Sequence, residues 1–228
     1  MKIYAHRGYS QKFPEATKTA YLEAVKAGAD GFECDVRLTS DKKIVCFHDG
    51  TLKRIANKPN VIAKSSLSEL KNLIDILTLE ELLQIAIESK KDLLIETKHP
   101  VRSGGEIEKE VVILLQKKKA EIEHAGIEII VMSFSYLAVR RLRKIYPNTM
   151  KVMKYGLATI LRKDNTLAVN VELLKRKKVA DSLVGRRLFL WTANHEDQWT
   201  LAKQLRAHGV ITDAVEKAKK ALKPSSGI

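Results

Sequence analysis

The sequence predicts an α/β protein, a (β/α)8 TIM barrel with an inserted rim segment after strand 2. Short aliphatic or β-branched runs alternate with longer amphipathic stretches, which is typical of βα units repeated around a parallel sheet. Eight such runs occur along the chain. The length of 228 residues is near the roughly 250 residues of a typical barrel of this kind. Together these observations favour eight parallel strands enclosed by helices.

The short apolar runs predict the barrel strands. In chain order they cover Lys2–Ala5, Asp30–Asp35, Asp92–Glu96, Glu128–Met132, Met150–Met153, Leu167–Val171, Leu188–Thr192 and Val210–Thr212. The amphipathic stretches between these runs predict the helices. They cover Pro14–Ala27, Leu79–Ser89, Gly105–His124, Tyr136–Tyr146, Glu172–Val184, Glu196–Ala207 and Ala214–Leu222.

Proline and glycine mark several of the predicted helix ends. Pro14 suits the first turn of a helix, and Gly28 suits a C-terminal exit. Pro147 directly follows the helix that is predicted to end at Tyr146. The stretch from 155 to 184 is the least regular part of the pattern, because glycine and asparagine interrupt its period.

One connection is much longer than the few residues that usually join a strand to a helix. It runs from 36 to 77 and contains its own short strand, Lys43–Phe47, and a turn around Lys58–Asn60. This segment is therefore predicted to be an insertion at the carboxyl-terminal rim of the barrel. We expect residues 1–223 to form a single domain and 224–228 to form a frayed tail.

The composition excludes several classes of protein. With 45% hydrophobic and 30% charged residues, the chain has enough apolar material for one sizeable core and too much for a disordered protein. The two cysteines, Cys34 and Cys46, match neither a disulfide scaffold nor a zinc site and are expected to be buried. No apolar leader or run of roughly 18 apolar residues is seen, so we expect a cytoplasmic protein with no transmembrane segment.

The net charge of +14 is concentrated in one segment. Residues 139–188 contain 14 lysines and arginines and 3 acidic residues, which leaves +11. Such a segment suits an anionic partner, either nucleic acid or an anionic surface. Because no nucleic-acid motif accompanies it, we expect solvated helix faces and no specific nucleic-acid partner.

Acidic side chains occur at the predicted ends of two strands. Glu33 and Asp35 are two residues apart, so both side chains point to the same side of a strand. Glu96 arrives from the next barrel strand. Adjacent carboxylates repel unless a proton or a cation lies between them, and hard oxygen ligands favour Mg²⁺ or Ca²⁺ over zinc. The sequence therefore suggests one divalent cation, with ion pairs to Arg37 and Lys98 as the alternative.

Two cations and two imidazoles complete this set. Arg7 and Lys98 follow predicted strand ends. Three carboxylates (−3), a divalent ion (+2) and these two cations (+2) would give the site a net charge of +1. A phosphodiester, with a charge of −1, would balance that site. His6 and His48 also lie at predicted strand ends. Imidazoles titrate near neutrality and suit general acid and base catalysis.

A series of short motifs in the same order resembles the glycerophosphodiester phosphodiesterase family. The motifs are Ala5-His6-Arg7-Gly8, Pro14-Glu15-Ala16-Thr17, Gly28 to Val36, Thr39-Ser40-Asp41, Phe47-His48-Asp49, Leu77 to Glu81, Glu96-Thr97-Lys98, Ser133-Phe134, Trp191 to Asn194 and Gly209 to Asp213. The resemblance covers almost the whole chain, from residue 3 to about 217. One motif alone would be weak, but their order and spacing make the resemblance specific.

This resemblance implies metal-dependent hydrolysis of a small-molecule glycerophosphodiester to glycerol 3-phosphate and an alcohol. Carried over residue by residue, it assigns acid and base roles to His6 and His48, metal ligation to Glu33, Asp35 and Glu96, phosphate binding to Arg7 and Lys98, and the pocket lining to Trp191 and Phe134. The chain departs from the family at Ala16, where asparagine is usual.

Two alternatives stay open from the sequence. One is a related barrel phosphodiesterase that acts on inositol lipids or sphingolipids. The other is a non-catalytic module that binds polyanions through the basic segment. The choice between Mg²⁺ and Ca²⁺, the division of roles between His6 and His48, and the oligomeric state are also open.

Overall fold

The computed structural model describes residues 1–101, 103–161 and 163–222, so the predicted tail at 224–228 lies outside the described residues. The described residues form nine strands: β1 Lys2–His6, β2 Gly31–Leu38, β3 Ile44–Cys46, β4 Asp92–Thr97, β5 Ile129–Ser133, β6 Thr149–Met153, β7 Thr166–Asn170, β8 Arg187–Trp191 and β9 Gly209–Thr212. They also form eleven α-helices: α1 Lys18–Lys26, α2 Lys53–Ala56, α3 Leu67–Lys71, α4 Leu79–Ser89, α5 Glu106–Lys117, α6 Lys119–Ala125, α7 Tyr136–Leu142, α8 Gly156–Ile160, α9 Lys177–Ser182, α10 Glu196–Gln204 and α11 Val215–Leu222. Short 3-10 helices cover Ile62–Lys64 and Val171–Lys175.

Eight of the strands close into a parallel barrel. The order around the barrel is β1, β2, β4, β5, β6, β7, β8 and β9, and closure occurs because β1 pairs with both β2 and β9. The predicted TIM barrel is therefore confirmed. Each of the eight predicted strands is present, with bounds within three residues of the prediction.

The predicted insertion follows β2 and lengthens that strand. β2 continues to Leu38, beyond its predicted end at Asp35, because β3 pairs with the extension in antiparallel fashion. The strand predicted at Lys43–Phe47 is therefore present as Ile44–Cys46. The insertion also has a small apolar core of its own, which consists of Val45, Phe47, Leu52, Ile62, Leu70 and Ile76.

The barrel strands bury both of their faces, as parallel strands covered by helices do. Alternate side chains point into the barrel, where Tyr4, Leu94, Ile130, Met132, Met150, Val152, Ala168, Phe189 and Ile211 form the inner core. The other set, which includes Phe32 and Cys34, packs outward against the helices. Cys34 and Cys46 are 0% and 1% exposed, as expected for small apolar side chains.

The first helix begins later than the sequence predicts. The pattern predicts a helix over Pro14–Ala27, whereas α1 begins at Lys18. The backbone at Ala16 is left-handed, with φ of +59°, which no right-handed helix can include. The Thr17 side chain then accepts a hydrogen bond from the Ala20 N–H and caps the helix.

Two other predicted helices are each divided in two. The helix predicted over Gly105–His124 is interrupted at Lys118, where φ is −96° and ψ is 9°. The helix predicted over Glu172–Val184 is a 3-10 turn and a short α-helix, separated by extended backbone at Arg176. The apolar pattern does not mark the break at Lys118, whereas the second break falls in the run of four basic residues at 175–178, within the least regular part of the pattern.

Two helices end earlier than predicted. α7 ends at Leu142 and α10 at Gln204, although the patterns extend to Tyr146 and Ala207. Beyond α7 the chain forms a tighter turn, in which Lys144 N–H donates to the Arg141 carbonyl. Of the helices in the described ranges, none has the length and apolar character needed to cross a membrane.

Candidate active site

The carboxyl-terminal mouth of the barrel collects the acidic residues that the sequence singles out. His6 of β1 is in register with Glu33 of β2, and Asp35 of β2 is in register with Glu96 of β4. All four positions belong to the inward-pointing set, because the residues between them pack outward against the helices. Strand register and alternation therefore bring four ionisable groups from three strands to one place.

Glu33, Asp35 and Glu96 form a compact buried cluster. One carboxylate oxygen from each lies within 4.8 Å of the others, and the three residues are 2–6% exposed. Oxygens bound to one Mg²⁺ or Ca²⁺ at about 2.0–2.6 Å are separated by at most about 5 Å, so this spacing fits a shared ion. Glu33 Oε2 and Asp35 Oδ2 also lack a hydrogen-bond partner among the described residues. The residues present thus fit a divalent cation.

The carboxyl groups of this cluster have strongly perturbed pKa values. Burial and the nearby charge of Asp35 raise the pKa of Glu33 to about 8 and that of Glu96 to about 7. Burial also acts on Asp35, but the charges of Lys98 and Arg7 outweigh it and hold the pKa of Asp35 below its usual value. The cluster therefore carries one firmly ionised carboxylate and two that resist ionisation unless a cation is present.

Two cations adjoin the carboxylates. Lys98 Nζ lies 3.0 Å from Asp35 Oδ1 and 2.8 Å from Glu96 Oε1. Arg7 Nε lies 2.8 Å from Asp35 Oδ2, without the alignment of a hydrogen bond. Both cations that the sequence places at strand ends, Arg7 and Lys98, therefore contact the acidic cluster. The alternative partner, Arg37, instead donates two hydrogen bonds to the His48 carbonyl.

His6 is held by residues from the other end of the chain. Its Nδ1 lies 2.7 Å from Asp213 Oδ1, and Asp213 also accepts hydrogen bonds from Ser10 and Asn194. These partners lower the pKa of Asp213 to about 2 against the effect of burial, so its carboxylate is the acceptor. Burial lowers the pKa of His6, but the bond to Asp213 and the charge of Glu33 outweigh that effect and raise it.

His48 is held in the same way by its neighbour in sequence. Its Nδ1 lies 2.7 Å from Asp49 Oδ1, and its carbonyl is fixed by Arg37. Burial, together with the charges of Lys98 and Arg7, lowers the pKa of His48 despite the opposing effect of Asp35 and Asp49. Each imidazole thus binds an aspartate through Nδ1, and the Nε2 atom of each ring remains for other contacts.

A chain of ion pairs links the residues beside the two histidines. Arg7 Nη1 donates to Glu15 Oε1 at 3.1 Å, and Arg54 Nη2 donates to the same oxygen at 2.6 Å. Arg54 Nε also donates to Asp49 Oδ2 at 2.5 Å. This chain connects the segment after β1 to the insertion, and so it fixes His48 relative to the barrel.

The ionisable groups surround a cleft of about 320 Å³. Its far wall is apolar, because Phe134 and Trp191 pack edge to face with ring centroids 5.2 Å apart. Lys98 Nζ lies 5.8 Å from the centre of the Phe134 ring, so the polar and aromatic walls meet at that point. Lys154 lines the cleft as well.

The structure brings the nine predicted site residues to this one cleft or its immediate wall: His6, Arg7, Glu33, Asp35, His48, Glu96, Lys98, Phe134 and Trp191. The sequence reasoning missed the roles of Asp213, Asp49 and Glu15 as partners of site residues. All three occur within the family-like motifs, so the motifs contained the signal without indicating which residue each would contact.

The sequence matches one protein family along most of its length. The profile of the Glycerophosphoryl diester phosphodiesterase family matches residues 6–217. A Mycobacterium tuberculosis relative, "Probable glycerophosphodiester phosphodiesterase 1", is 36% identical over an alignment of 166 positions that covers 64% of this chain and 61% of that protein. The chain thus spans less than two thirds of the length of this curated relative.

Solved structures share the fold over nearly the whole chain. The glycerophosphodiester phosphodiesterase of Thermotoga maritima superimposes with a TM-score of 0.81 at 27% identity, covering 96% of this chain and 97% of that one. An Oleispira antarctica phosphodiesterase, solved with the product sn-glycerol-3-phosphate, gives 0.79 at 21% identity and covers 97% and 96%. With the profile match, these findings show that the chain belongs to the Glycerophosphoryl diester phosphodiesterase family.

Proposed function

We propose that this protein hydrolyses glycerophosphodiesters to glycerol 3-phosphate and an alcohol. The observation that carries this proposal is the meeting of two aspartate-bound imidazoles, three carboxylates and two cations around one cleft. The family match favours this reaction over the alternatives with inositol lipids or sphingolipids. The proposed product, glycerol 3-phosphate, is also the product in the Oleispira antarctica complex.

The charges around the cleft suit one phosphodiester. With all three carboxylates ionised and no metal ion, the carboxylates and the two cations would sum to −1, which would repel the substrate. The raised pKa values of Glu33 and Glu96 reflect how unfavourable that metal-free state is. A divalent cation held by Glu33, Asp35 and Glu96 changes this sum to +1, and it would supply electrostatic stabilisation of the charge that develops on the phosphoryl oxygens. Arg7 and Lys98 adjoin the same carboxylates and are the proposed ligands of the remaining phosphoryl oxygens.

The two histidines are the proposed acid and base. Each ring donates a hydrogen bond from its Nδ1–H group to an aspartate. This bond orients the ring and leaves only its Nε2 atom to contact a substrate. One Nε2 accepts the proton of the attacking hydroxyl group. The other donates a proton to the alkoxide that leaves when the phosphorus–oxygen bond breaks. Phe134 and Trp191 provide an apolar wall that excludes water from one side of the reacting diester.

The test is an assay of glycerol 3-phosphate release. Glycerophosphocholine, glycerophosphoethanolamine and glycerophosphoglycerol are compared with Mg²⁺, with Ca²⁺ and with chelator. We expect release that depends on the metal ion and stops in chelator. Analysis of early time points for a cyclic phosphate distinguishes attack by the neighbouring glycerol hydroxyl from attack by water. Absence of glycerol 3-phosphate release from all three diesters with either metal would contradict the proposal.

A further inference from the structure

One side of the barrel mouth exposes a group of large apolar side chains. We refer to Phe134, Tyr136, Leu137, Tyr155 and Leu157 as the rim patch. Leu137 is 59% exposed, and Tyr155 and Leu157 are each 71% exposed. Leucine side chains are more often buried in folded proteins, and a contiguous exposed apolar group marks an interaction surface more often than a scattered one does.

The rim patch lies beside the active-site cleft. Its residues follow the carboxyl ends of β5 and β6, which are neighbouring strands in the barrel. Phe134 lines the cleft directly, and Lys154, which also lines it, immediately precedes Tyr155. The patch is therefore continuous with the wall of the cleft, on the same face of the barrel.

Exposed apolar side chains are concentrated in this part of the chain. Of the thirteen large apolar side chains that are exposed among the described residues, eight lie between 134 and 161, and five of these form the rim patch. The other three, Ile145, Ile160 and Leu161, lie at or beyond the carboxyl ends of α7 and α8. The exposed apolar side chains outside this range are scattered, as Leu22, Ile55 and Ile113 illustrate. Single exposed apolar residues are normal on a protein surface, whereas this grouping is not explained by the barrel itself.

The same side of the barrel is strongly basic. Arg140 on α7, Lys154 before α8, and Lys178 on α9 are exposed. Arg176 lies next to Gly156, the first residue of α8: a Cβ atom added at Gly156 would be 3.4 Å from the Nη1 atom of Arg176. These four basic residues belong to the basic segment 139–188, and of them only Lys154 lines the cleft.

We propose that the rim patch and its basic surroundings dock onto an anionic lipid bilayer. Apolar side chains surrounded by lysine and arginine are typical of protein surfaces that enter the interface of a membrane, where each exposed cation is attracted by acidic head groups. Docking brings the cleft mouth to the lipid surface. This inference goes beyond the proposed hydrolysis, because a surface for lipid is not needed to bind a small diester.

The charge and chemistry of the surface favour a bilayer over two other occupants. A second copy of this chain would bring two basic surfaces together, with Arg140 facing other cations, which is repulsive. Nucleic acid would satisfy the cations but would leave Leu137 and Leu157 without an apolar partner. A bilayer provides both the anionic head groups and the apolar layer beneath them.

The test is co-sedimentation of the purified full chain with vesicles. Phosphatidylcholine vesicles that contain phosphatidylglycerol are compared with vesicles of phosphatidylcholine alone. We expect binding to the anionic vesicles only, and binding that weakens as salt is raised. The Leu137→Ser/Leu157→Ser variant should bind at least tenfold more weakly, and Arg140→Gln/Lys178→Gln should lose on the order of fivefold for each charge removed. Vesicle binding requires no turnover, so it is independent of the hydrolysis assay.

Matched variants and a size measurement complete the test. Leu22→Ser/Ile113→Ser removes two exposed apolar side chains outside the patch and should bind vesicles like the wild type. Circular dichroism and thermal melts establish that each variant is folded. The proposal is overturned if the wild type does not bind anionic vesicles, or if the Leu137→Ser/Leu157→Ser variant binds them equally well. It is also overturned if the wild type is a dimer that this variant converts to a monomer, because a second copy would then cover the patch.

Discussion

Asp213 holds His6 across almost the whole length of the chain: the Oδ1 atom of Asp213 is 2.7 Å from the Nδ1 atom of His6, and 207 positions separate the two residues. The contact exists because β1 pairs with β9 and closes the barrel, which brings His6 at the end of β1 next to Asp213, directly after β9. Barrel closure is thus directly coupled to the orientation of a proposed catalytic imidazole.

Replacement of Asp213 by asparagine should impair turnover more than folding. The amide keeps the size of the side chain but removes the charged acceptor that orients the ring. Loss of a carboxylate that orients a metal-bound histidine typically costs 10–100-fold, and for this acid–base imidazole we expect a decrease of at least about that size in kcat/KM. Asp197→Asn, at an exposed position in the first turn of α10, is the control. Unchanged kcat/KM in Asp213→Asn would show that the contact is structural only.

Removal of either imidazole should reduce kcat strongly. For His6→Ala and for His48→Ala we expect a loss of at least roughly 100-fold, as is typical when a general acid or base is removed. The measurement is steady-state glycerol 3-phosphate release. His124→Ala, at an exposed position near the end of α6, should leave the rate unchanged. If either His6→Ala or His48→Ala retains near wild-type turnover, the acid–base assignment is wrong.

Replacement of Glu33 by glutamine should abolish the response to a divalent cation. A ligand that binds only the folded state raises the melting temperature, so Mg²⁺ or Ca²⁺ should stabilise the wild type in a thermal melt. In Glu33→Gln one of three anionic ligands is lost, and we expect the stabilisation to disappear at the same metal concentration. Glu69→Gln, at an exposed position of α3 in the insertion, should respond like the wild type. An equal response of Glu33→Gln and the wild type would argue against an ion at this cluster.

Replacement of Ala16 by asparagine, the residue usual in the family, should raise the stability of the protein. The φ angle of +59° at Ala16 is unfavourable for alanine, whereas asparagine adopts this region more readily. We expect Ala16→Asn to raise stability by about 0.5 kcal/mol, which corresponds to a rise of about 1–2 °C in the melting temperature. Ala158→Asn, on the exposed side of α8, should have the opposite effect because asparagine is the poorer helix former. A melting temperature that falls in Ala16→Asn would contradict this explanation.

The opposite mouth of the barrel should contribute stability that depends on pH. Arg187 donates two hydrogen bonds to Glu128, at 2.7 and 2.5 Å, and this pairing lowers the pKa of Glu128. A carboxyl group with a lowered folded-state pKa contributes stability above its unfolded pKa and loses it as pH falls through the folded pKa. Arg187→Met should therefore cost about 1 kcal/mol in the free energy of unfolding near neutral pH and much less near pH 3.

The neighbours of this pair act in the same direction. Burial and the charge of Arg187 lower the pKa of His208, so removal of Arg187 relieves a destabilisation of the protonated ring at low pH. The charge of Lys2 also lowers the pKa of His208, and that of Asp92 raises it. Lys2 and Tyr4 both donate hydrogen bonds to Asp92. Denaturant unfolding at the two pH values is the measurement. Lys119→Met, which removes the exposed ion pair with Glu123, is the control. An equal cost of Arg187→Met at both pH values would contradict the role of Glu128.

Much of the site could be predicted because it depends on local periodicity. A strand alternates its side chains, so Glu33 and Asp35 must lie on one face wherever the strand is placed. The carboxyl ends of parallel strands meet at one mouth of a barrel, which brings Glu96 and His6 to the same region. The motif order adds His48, although its strand lies in the insertion. These inferences need only the strand positions and the fold class.

The breaks in the helices depended on information that the periodicity lacks. The pattern over Gly105–His124 is continuous, yet the chain bends at Lys118. At the first helix, the left-handed backbone of Ala16 is imposed by the turn that follows Arg7, whose carbonyl accepts a hydrogen bond from the Ala16 N–H. An apolar period reports which face is buried, and it does not report where tertiary contacts interrupt a helix.

The sequence by itself determined the barrel, the buried cysteines and the residues that meet at its mouth, because alternation and strand order are properties of the chain. Only the tertiary structure decided which partner each group has. The partner of His6 is Asp213. Lys98 forms ion pairs with both Asp35 and Glu96, whereas the Oε2 atom of Glu33 has no hydrogen-bond partner among the described residues. The physical reason is that hydrogen bonds and pKa values depend on distances of a few ångströms, and these distances are set when the barrel closes and packs.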